Sequence, residues 1–327
     1  MQRASEGRRR RPAPGWCVNC TGAGVDIDAA DRQAAGVHTR ILAVCGLVAL
    51  FTLSAAGQAG KNEIGYCVGL KGLAQAKAAG FDYVELGTTE IAALSDADFE
   101  AAIAQVKAAG IPTPNANLFL PATLKLTGPS PAPVDEQMAY VTKALARLER
   151  LGVKTLCFGS GGARRVPEGF PHDQAFAQLV AFGKRAAPVA RRHGITIVIE
   201  PLRKQETNII NTTAEGLALV KAVADPNFQL LVDFFHLASE REDPAIMVEA
   251  EAHIRHTHMA NPQGRVFPLT WEEFDYAPFF ATLRRIGYSG RMSIEASSPD
   301  VAAQAPQSIA LLRKAFAGQL PAAAPAH

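Results

Sequence analysis

Cysteine is scarce in this sequence and poorly placed for a disulfide framework. Of five cysteines in 327 residues, Cys17, Cys20 and Cys45 fall within the first 60 positions, which leaves Cys67 and Cys157, each inside an expected strand. Cys17-Val-Asn-Cys20 is half of a zinc pattern with no second pair after it, and it reads as accidental. Charge of one sign is also lacking. The net charge is +2, but residues 1–40 hold seven Arg against four acids, so the chain beyond them carries 26 basic against 27 acidic groups. That near-neutral body argues against a nucleic-acid footprint. The nucleotide fingerprints are missing as well. Cys67-Val-Gly-Leu-Lys-Gly72 lacks GxGxxG spacing, and the Gly159-Ser-Gly-Gly162 loop lacks the Lys-Ser/Thr of a phosphate loop.

The apolar run Ile41–Leu53 is too short to give a stable membrane span. It follows Arg40 and precedes the small residues Ser54 to Ala59, the order of a secretory signal. The expectation is a leader over residues 1–60, with a signal-peptide-like segment at 41–59, outside the fold. A buried helix is the other reading of that run. A signal that begins forty residues in suggests a translation start later than Met1, at a non-Met codon for Val25 or Val37. The location implied is periplasmic or secreted, and cytoplasmic if 41–59 is not a signal.

What is present, at 48% apolar and 20% charged, suits a globular chain. From Lys61 onward, short apolar runs alternate with longer stretches of helical spacing. Strands are expected at Glu63–Val68, Tyr83–Leu86, Pro114–Leu118, Thr155–Phe158, Thr196–Glu200, Gln229–Asp233, Ile254–His258 and Arg291–Glu295. Helices are expected at Leu70–Ala79, Asp98–Ala109, Asp135–Leu151, Asp173–His193, Ala214–Val223, Pro244–Glu251, Tyr276–Ile286 and Val301–Phe316, several of them ending at Gly. Eight β–α units over residues 61–318 imply an α/β, single-domain (β/α)8 TIM barrel, with 319–327 a flexible tail. A doubly wound open sheet is the alternative if one strand is miscounted. The loops Phe119–Val134 and Gly159–Pro171 are rich in Gly and Pro, and in a barrel they lie over the face where active sites form. Lys125, Arg164 and Arg165 in those loops are candidates to meet a substrate phosphate, or else solvated surface charges.

Four of the strands end in good metal ligands. Thr196 to Ile199 is β-branched and apolar, as a covered parallel strand should be, and it terminates in Glu200, flanked by Ile199 and Pro201. A carboxylate so close to a core needs a partner or a metal to offset its lost hydration. The later strands end in Asp233, His258 and Glu295. Singly, Asp233 could cap a turn, His258 could be a hydrogen-bonded core residue and Glu295 could pair with an Arg. Together they lie on one face of a barrel as a site for one divalent cation. Oxygen ligands with a single imidazole suit Mn²⁺, Mg²⁺ or Co²⁺ better than structural zinc.

On these residues, the stretch from about Glu63 to Gly318 resembles the xylose-isomerase-like superfamily of sugar isomerases and epimerases, which are TIM barrels with one divalent metal. In its ketose 3-epimerase branch a Glu, an Asp, a His and a Glu from four successive strand ends hold the ion, and the two Glu move the proton. The resemblance implies Glu200, Asp233, His258 and Glu295 as metal ligands, with Glu200 and Glu295 the catalytic pair. It further implies that Glu206, His236 in Asp233-Phe-Phe-His236, and Arg265 in Gly264-Arg265-Val-Phe-Pro268 bind substrate. The cofactor expected is one divalent ion, Mn²⁺ first, with Mg²⁺ or Co²⁺ as alternatives. The partner expected is a small sugar or cyclitol and no nucleic acid; a homo-oligomer is left open.

The implied function is a metal-dependent sugar isomerase or epimerase that abstracts a proton beside a carbonyl through an enediolate. A lyase or dehydratase similar to inosose dehydratase starts with the same step and remains the alternative, with a non-catalytic sugar-binding barrel below it. The nuclease branch, resembling endonuclease IV, needs several zinc ions and histidines on the second and third strands. This chain has Glu85 and Asn115 or Asn117 there.

Overall fold

A computed structural model describes residues 62–322. The signal-like segment at 41–59, the rest of the expected leader and the last five residues of the expected tail lie outside the described residues. In chain order the elements are β1 Ile64–Cys67, α1 Leu73–Ala78, β2 Tyr83–Gly87, α2 Thr88–Ala93, α3 Asp96–Ala109, β3 Asn115–Asn117, α4 Val134–Arg150, β4 Thr155–Phe158, α5 Gly161–Arg164 and α6 His172–Arg192. They continue with β5 Thr196–Ile199, α7 Thr213–Val223, β6 Phe228–Asp233, α8 Phe234–Ser239, α9 Ile246–Glu249, β7 Ile254–Met259, α10 Ala277–Arg285, β8 Met292–Ile294 and α11 Val301–Phe316.

The strands pair in sequence order into a closed barrel, each parallel to its neighbours, with β8 returning to β1 through Ile64↔Met292 and Tyr66↔Ile294. The expected barrel is therefore the observed fold, and the open sheet is excluded. Closure follows from the strands' apolar faces: Ile197, Val198 and Ile199 in β5, and Leu230, Leu231 and Val232 in β6, are all buried. The helices cover the outside. In α4, Val141, Ala144, Leu145 and Leu148 repeat at three and four and are buried, while Asp135 and Glu136 occupy its first turn, where the helix dipole favours acids. Gly110 closes α3 with a left-handed φ of 60°, which a residue with a Cβ adopts only at a cost.

Several expected boundaries move for local reasons. The first expected helix begins as a 3-10 turn, Leu70–Gly72, and becomes α only at Leu73. The expected helix Pro244–Glu251 shrinks to one turn, Ile246–Glu249. Three short helices, α2, α5 and α8, sit where loops were expected. The chain also stays attached beyond Gly318: Leu320 packs against the core, and Trp271 Nε1 donates to Pro321 O at 3.2 Å. Among the described residues, no helix is long and apolar enough to cross a membrane.

The barrel interior is more polar than its lining strands suggest. Residues two apart on a strand share a face, so Tyr83 and Glu85 in β2, and His256 and His258 in β7, turn the same way. Tyr83 OH lies 2.8 Å from Ser293 Oγ of β8, and Glu85 meets both histidines. Tyr83 fits because β1 offers Gly65 opposite: a Cβ there would lie 2.2 Å from the tyrosine ring.

Candidate metal centre

The four strand-end ligands converge. One ligand atom from each of Glu200, Asp233, His258 and Glu295 lies within 4.8 Å of the others, three of these residues being buried and Glu295 partly so. Parallel strands in a closed barrel bring their C-terminal ends to one rim, so residues almost 100 positions apart become neighbours.

Each side chain is held from behind. Glu200 follows β5; its Oε2 accepts a hydrogen bond from the Cys157 thiol at 3.2 Å and its backbone carbonyl accepts one from Arg164 Nη2 at 2.7 Å. Gly159 lets it lie there, because a Cβ at that position would sit 2.5 Å from Glu200 Oε2. Asp233 caps α8: Oδ1 accepts from Phe235 N at 2.9 Å, while Oδ2 is buried without a hydrogen-bond partner and faces the site. Glu295, after β8, accepts from Asn117 Nδ2 at 3.0 Å and from Arg265 Nη2 at 2.7 Å.

His258 carries the strongest indication of a cation. Its Nε2 lies 3.1 Å from Glu85 Oε1, and its Nδ1 lies 3.1 Å from Glu200 Oε1 and 3.2 Å from Glu295 Oε2. A neutral imidazole has one N–H. If Nε2 donates to Glu85, the Nδ1 lone pair meets two carboxylate oxygens, an arrangement that a shared positive charge converts from repulsive to attractive. Ligands about 2.1 Å from one ion and at right angles to each other stand about 3.0 Å apart, close to these separations. With Asp233 Oδ2 unpartnered beside them, the donor set fits a hard or borderline divalent ion.

A second proton on the His258 imidazole can supply the same positive charge as an ion. Burial lowers the basicity of His258, but Glu85, Cys67 and Glu295, with the Glu200 hydrogen bond, more than reverse this and hold it well above the usual imidazole range. Burial likewise opposes charge on Glu200, yet His258, His236 and Arg265 keep it below the usual carboxylate range. Asp233 goes the other way, raised chiefly by burial. Neighbouring carboxyls pushed in opposite directions mark a site organised around charge.

The expected substrate residues surround this centre. His236 Nδ1 accepts from Arg203 N at 3.2 Å, which leaves the proton on Nε2. That Nε2 is buried, has no hydrogen-bond partner, and lies 3.6 Å from Asp233 Oδ2. Arg265 stacks 4.5 Å over the Phe235 ring and reaches Glu206 Oε1 at 3.3 Å as well as Glu295. Its φ of 52° is a left-handed conformation uncommon for a side-chain-bearing residue, held because Ser297 N donates to Arg265 O at 2.9 Å. Glu206 is further fixed by Arg203 Nε at 2.9 Å.

Arg164 departs from both roles considered for it. It is fully buried against the Phe158 ring, so it neither meets a phosphate nor sits in solvent; it props the Glu200 backbone instead. Lys125 and Arg165 do line an open cleft of about 670 Å³ with Thr127, Glu168 and Asn208. Three contributors escaped the sequence reading as site residues: Glu85, Asn117 and Cys157. Glu85 had a signal, a charge inside the buried strand Tyr83-Val-Glu-Leu; Asn117 and Cys157 had none.

Known proteins share this barrel. The family model for the xylose isomerase-like TIM barrel matches residues 73–315. An L-ribulose 3-epimerase of Methylomonas sp. (strain DH-1) is 30% identical over 232 residues, covering 71% of this chain and 79% of the relative. A ketose 3-epimerase of Arthrobacter globiformis is 27% identical, covering 69% and 76%. Among solved structures, a D-allulose 3-epimerase from Methylomonas sp. superposes with a TM-score of 0.69 at 26% identity, covering 78% of this chain and 98% of that one.

Proposed function

Since the chain belongs to the xylose isomerase-like TIM barrel family, we propose that it is a metal-dependent sugar epimerase that inverts the carbon beside the carbonyl of a free ketose. The observation that carries this is the convergence of Glu200, Asp233, His258 and Glu295 to within 4.8 Å at the barrel rim, with two glutamates among them. Glu200, Asp233, His258 and Glu295 would hold the ion, Mn²⁺ first among the candidates. A divalent ion supplies stabilisation of the negative charge that develops on the substrate's oxygens as an enediolate forms.

The chain's own residues do the rest. Glu200 and Glu295 leave β5 and β8, separate stretches of the barrel wall, so their carboxylates approach a bound sugar from different sides. One removes the proton on the carbon beside the carbonyl and the other delivers a proton to the opposite face, which inverts that carbon. Arg265 holds Glu295 in place through its 2.7 Å contact, and Asn117 fixes the second oxygen. His236 offers its unpartnered Nε2–H to a substrate oxygen, and Glu206, steadied by Arg203 and Arg265, accepts from substrate hydroxyls. Support for a ketose comes from the relatives named for L-ribulose, D-psicose and ketose 3-epimerisation. In the same proposal, residues 41–59 direct export, which fractionation of the native host and N-terminal sequencing would test.

The test is NMR of ketoses incubated with the Mn²⁺-loaded chain in deuterated water. Solvent deuterium should appear at the inverted carbon of a C3 epimer pair. Loss of water or of an aglycone without an inverted product would assign the lyase chemistry instead.

A further inference from the structure

Below the rim of candidate ligands, one carboxylate is buried as completely as His258. Glu85 lies in the middle of β2 at 0% exposure, and both its oxygens are committed. Oε1 accepts from His258 Nε2 at 3.1 Å; Oε2 accepts from His256 Nε2 at 2.8 Å and from Ser293 Oγ at 2.5 Å. The partners of Oε2 are themselves fixed. His256 Nδ1 lies 3.1 Å from Arg291 O, and Ser293 Oγ lies 2.8 Å from Tyr83 OH. The result is a carboxylate clamped from below whose one remaining oxygen points at a single ring nitrogen.

We propose that Glu85 is the positioning residue of the metal centre: by accepting Nε2–H from His258 it selects the tautomer in which Nδ1 presents its lone pair to the ion. The proposal rests on the metal reading given above. The reasoning is geometric. His258 has two nitrogens and only Nδ1 faces Glu200 and Glu295, so a ring protonated at Nδ1 alone would turn a donor, not a ligand, toward the cation. An acceptor locked on Nε2 removes that tautomer, and a carboxylate on the far nitrogen strengthens the near one as a donor to the ion. His256, Ser293 and Tyr83 hold Glu85 against rotation, which explains a polar cluster in a barrel interior where apolar side chains usually pack. A second ion shared by Cys67, Glu85 and His258, whose ligand atoms also lie within 4.8 Å of one another, is the competing account.

The experiment uses the full chain, stripped with a chelator and titrated with Mn²⁺ while free Mn²⁺ is followed by EPR, with ¹⁵N-histidine spectra of the Mg²⁺-loaded chain alongside. Wild type should bind one ion and show His258 protonated at Nε2. Glu85→Met, which keeps volume but offers no acceptor, should bind one ion about 10- to 100-fold more weakly and lose the pure Nε2–H signature. Glu85→Gln, whose amide oxygen can still accept, should recover most of the affinity and the signature. Wild-type His258 protonated at Nδ1 overturns the proposal whether or not the variants fold. So does Glu85→Met with unchanged affinity, or a wild type that binds two ions of which Glu85→Met loses one. A wild type that binds no Mn²⁺ removes the metal reading itself, which separates that failure from a failure confined to Glu85.

Discussion

Glu295 has both oxygens engaged, one by the Asn117 amide and one by the Arg265 guanidinium, and it is the most exposed of the four ligands. Those contacts hold a carboxylate ready beside open space, which is what a proton carrier needs. Glu295→Gln keeps the shape and removes the basic oxygen. Turnover should fall by about 10²- to 10⁴-fold while calorimetry still detects ketose binding; near-normal kcat would remove Glu295 from the reaction. Glu200 is held from behind by a thiol on Oε2 and a buried arginine on its backbone carbonyl. Its neighbours could not be read from the chain because Cys157 and Arg164 belong to another β–α unit and meet Glu200 only through parallel pairing of β4 with β5.

At the scale of elements, α8 shows one residue serving the helix and the site together. Asp233 ends β6, and its Oδ1 caps the helix that begins at Phe234, while Oδ2 is buried without a hydrogen-bond partner, free for the proposed ion. The two tasks can be separated. Asn caps as well as Asp, whereas Ala costs about 1 kcal/mol at such a position. Asp233→Asn should therefore melt near wild type in EDTA, Asp233→Ala should melt lower, and neither should gain the rise in Tm that Mn²⁺ gives wild type. Full Mn²⁺ stabilisation of Asp233→Asn would exclude Asp233 as a ligand. The helices that pattern reading missed share a cause: α2, α5 and α8 are too short for periodicity to register. The α2 turn depends on a distant residue, since Arg147 of α4 donates to the carbonyls of Ile91, Ala92 and Leu94 and pairs with Asp96.

For the molecule as a whole, the buried charges make stability depend on pH and on metal in a linked way. His258 and Asp233 have raised pKa values, so their protonated forms contribute stability that is complete below the ordinary values, near 6.5 and 3.9, and is lost as pH rises through the raised ones. Glu85 and Glu200 are lowered despite burial, held by the histidines, and contribute stability that is lost as pH falls below about 4.3. The chelated protein should therefore be most stable in mildly acidic solution and weaken above about pH 6.5. A divalent ion displaces the same protons, so its affinity rises with pH. At a hundred times Kd it adds about 2.7 kcal/mol, roughly 5–10 °C in Tm for a domain of this size. Melts from pH 5 to 9 with EDTA and with Mn²⁺ should diverge as pH rises, and parallel curves would show that the ion does not compete for these protons. The sequence by itself determined the strand count, the barrel and the four candidate ligands at its strand ends, because alternation of apolar runs and the residue ending each strand are local properties. Only the tertiary structure decided what stands behind those ligands. Glu85 under His258, Cys157 and Arg164 against Glu200, and Arg265 over Glu295 are contacts made by closing the barrel, and pairing across a closed sheet leaves no trace in the spacing of a single chain.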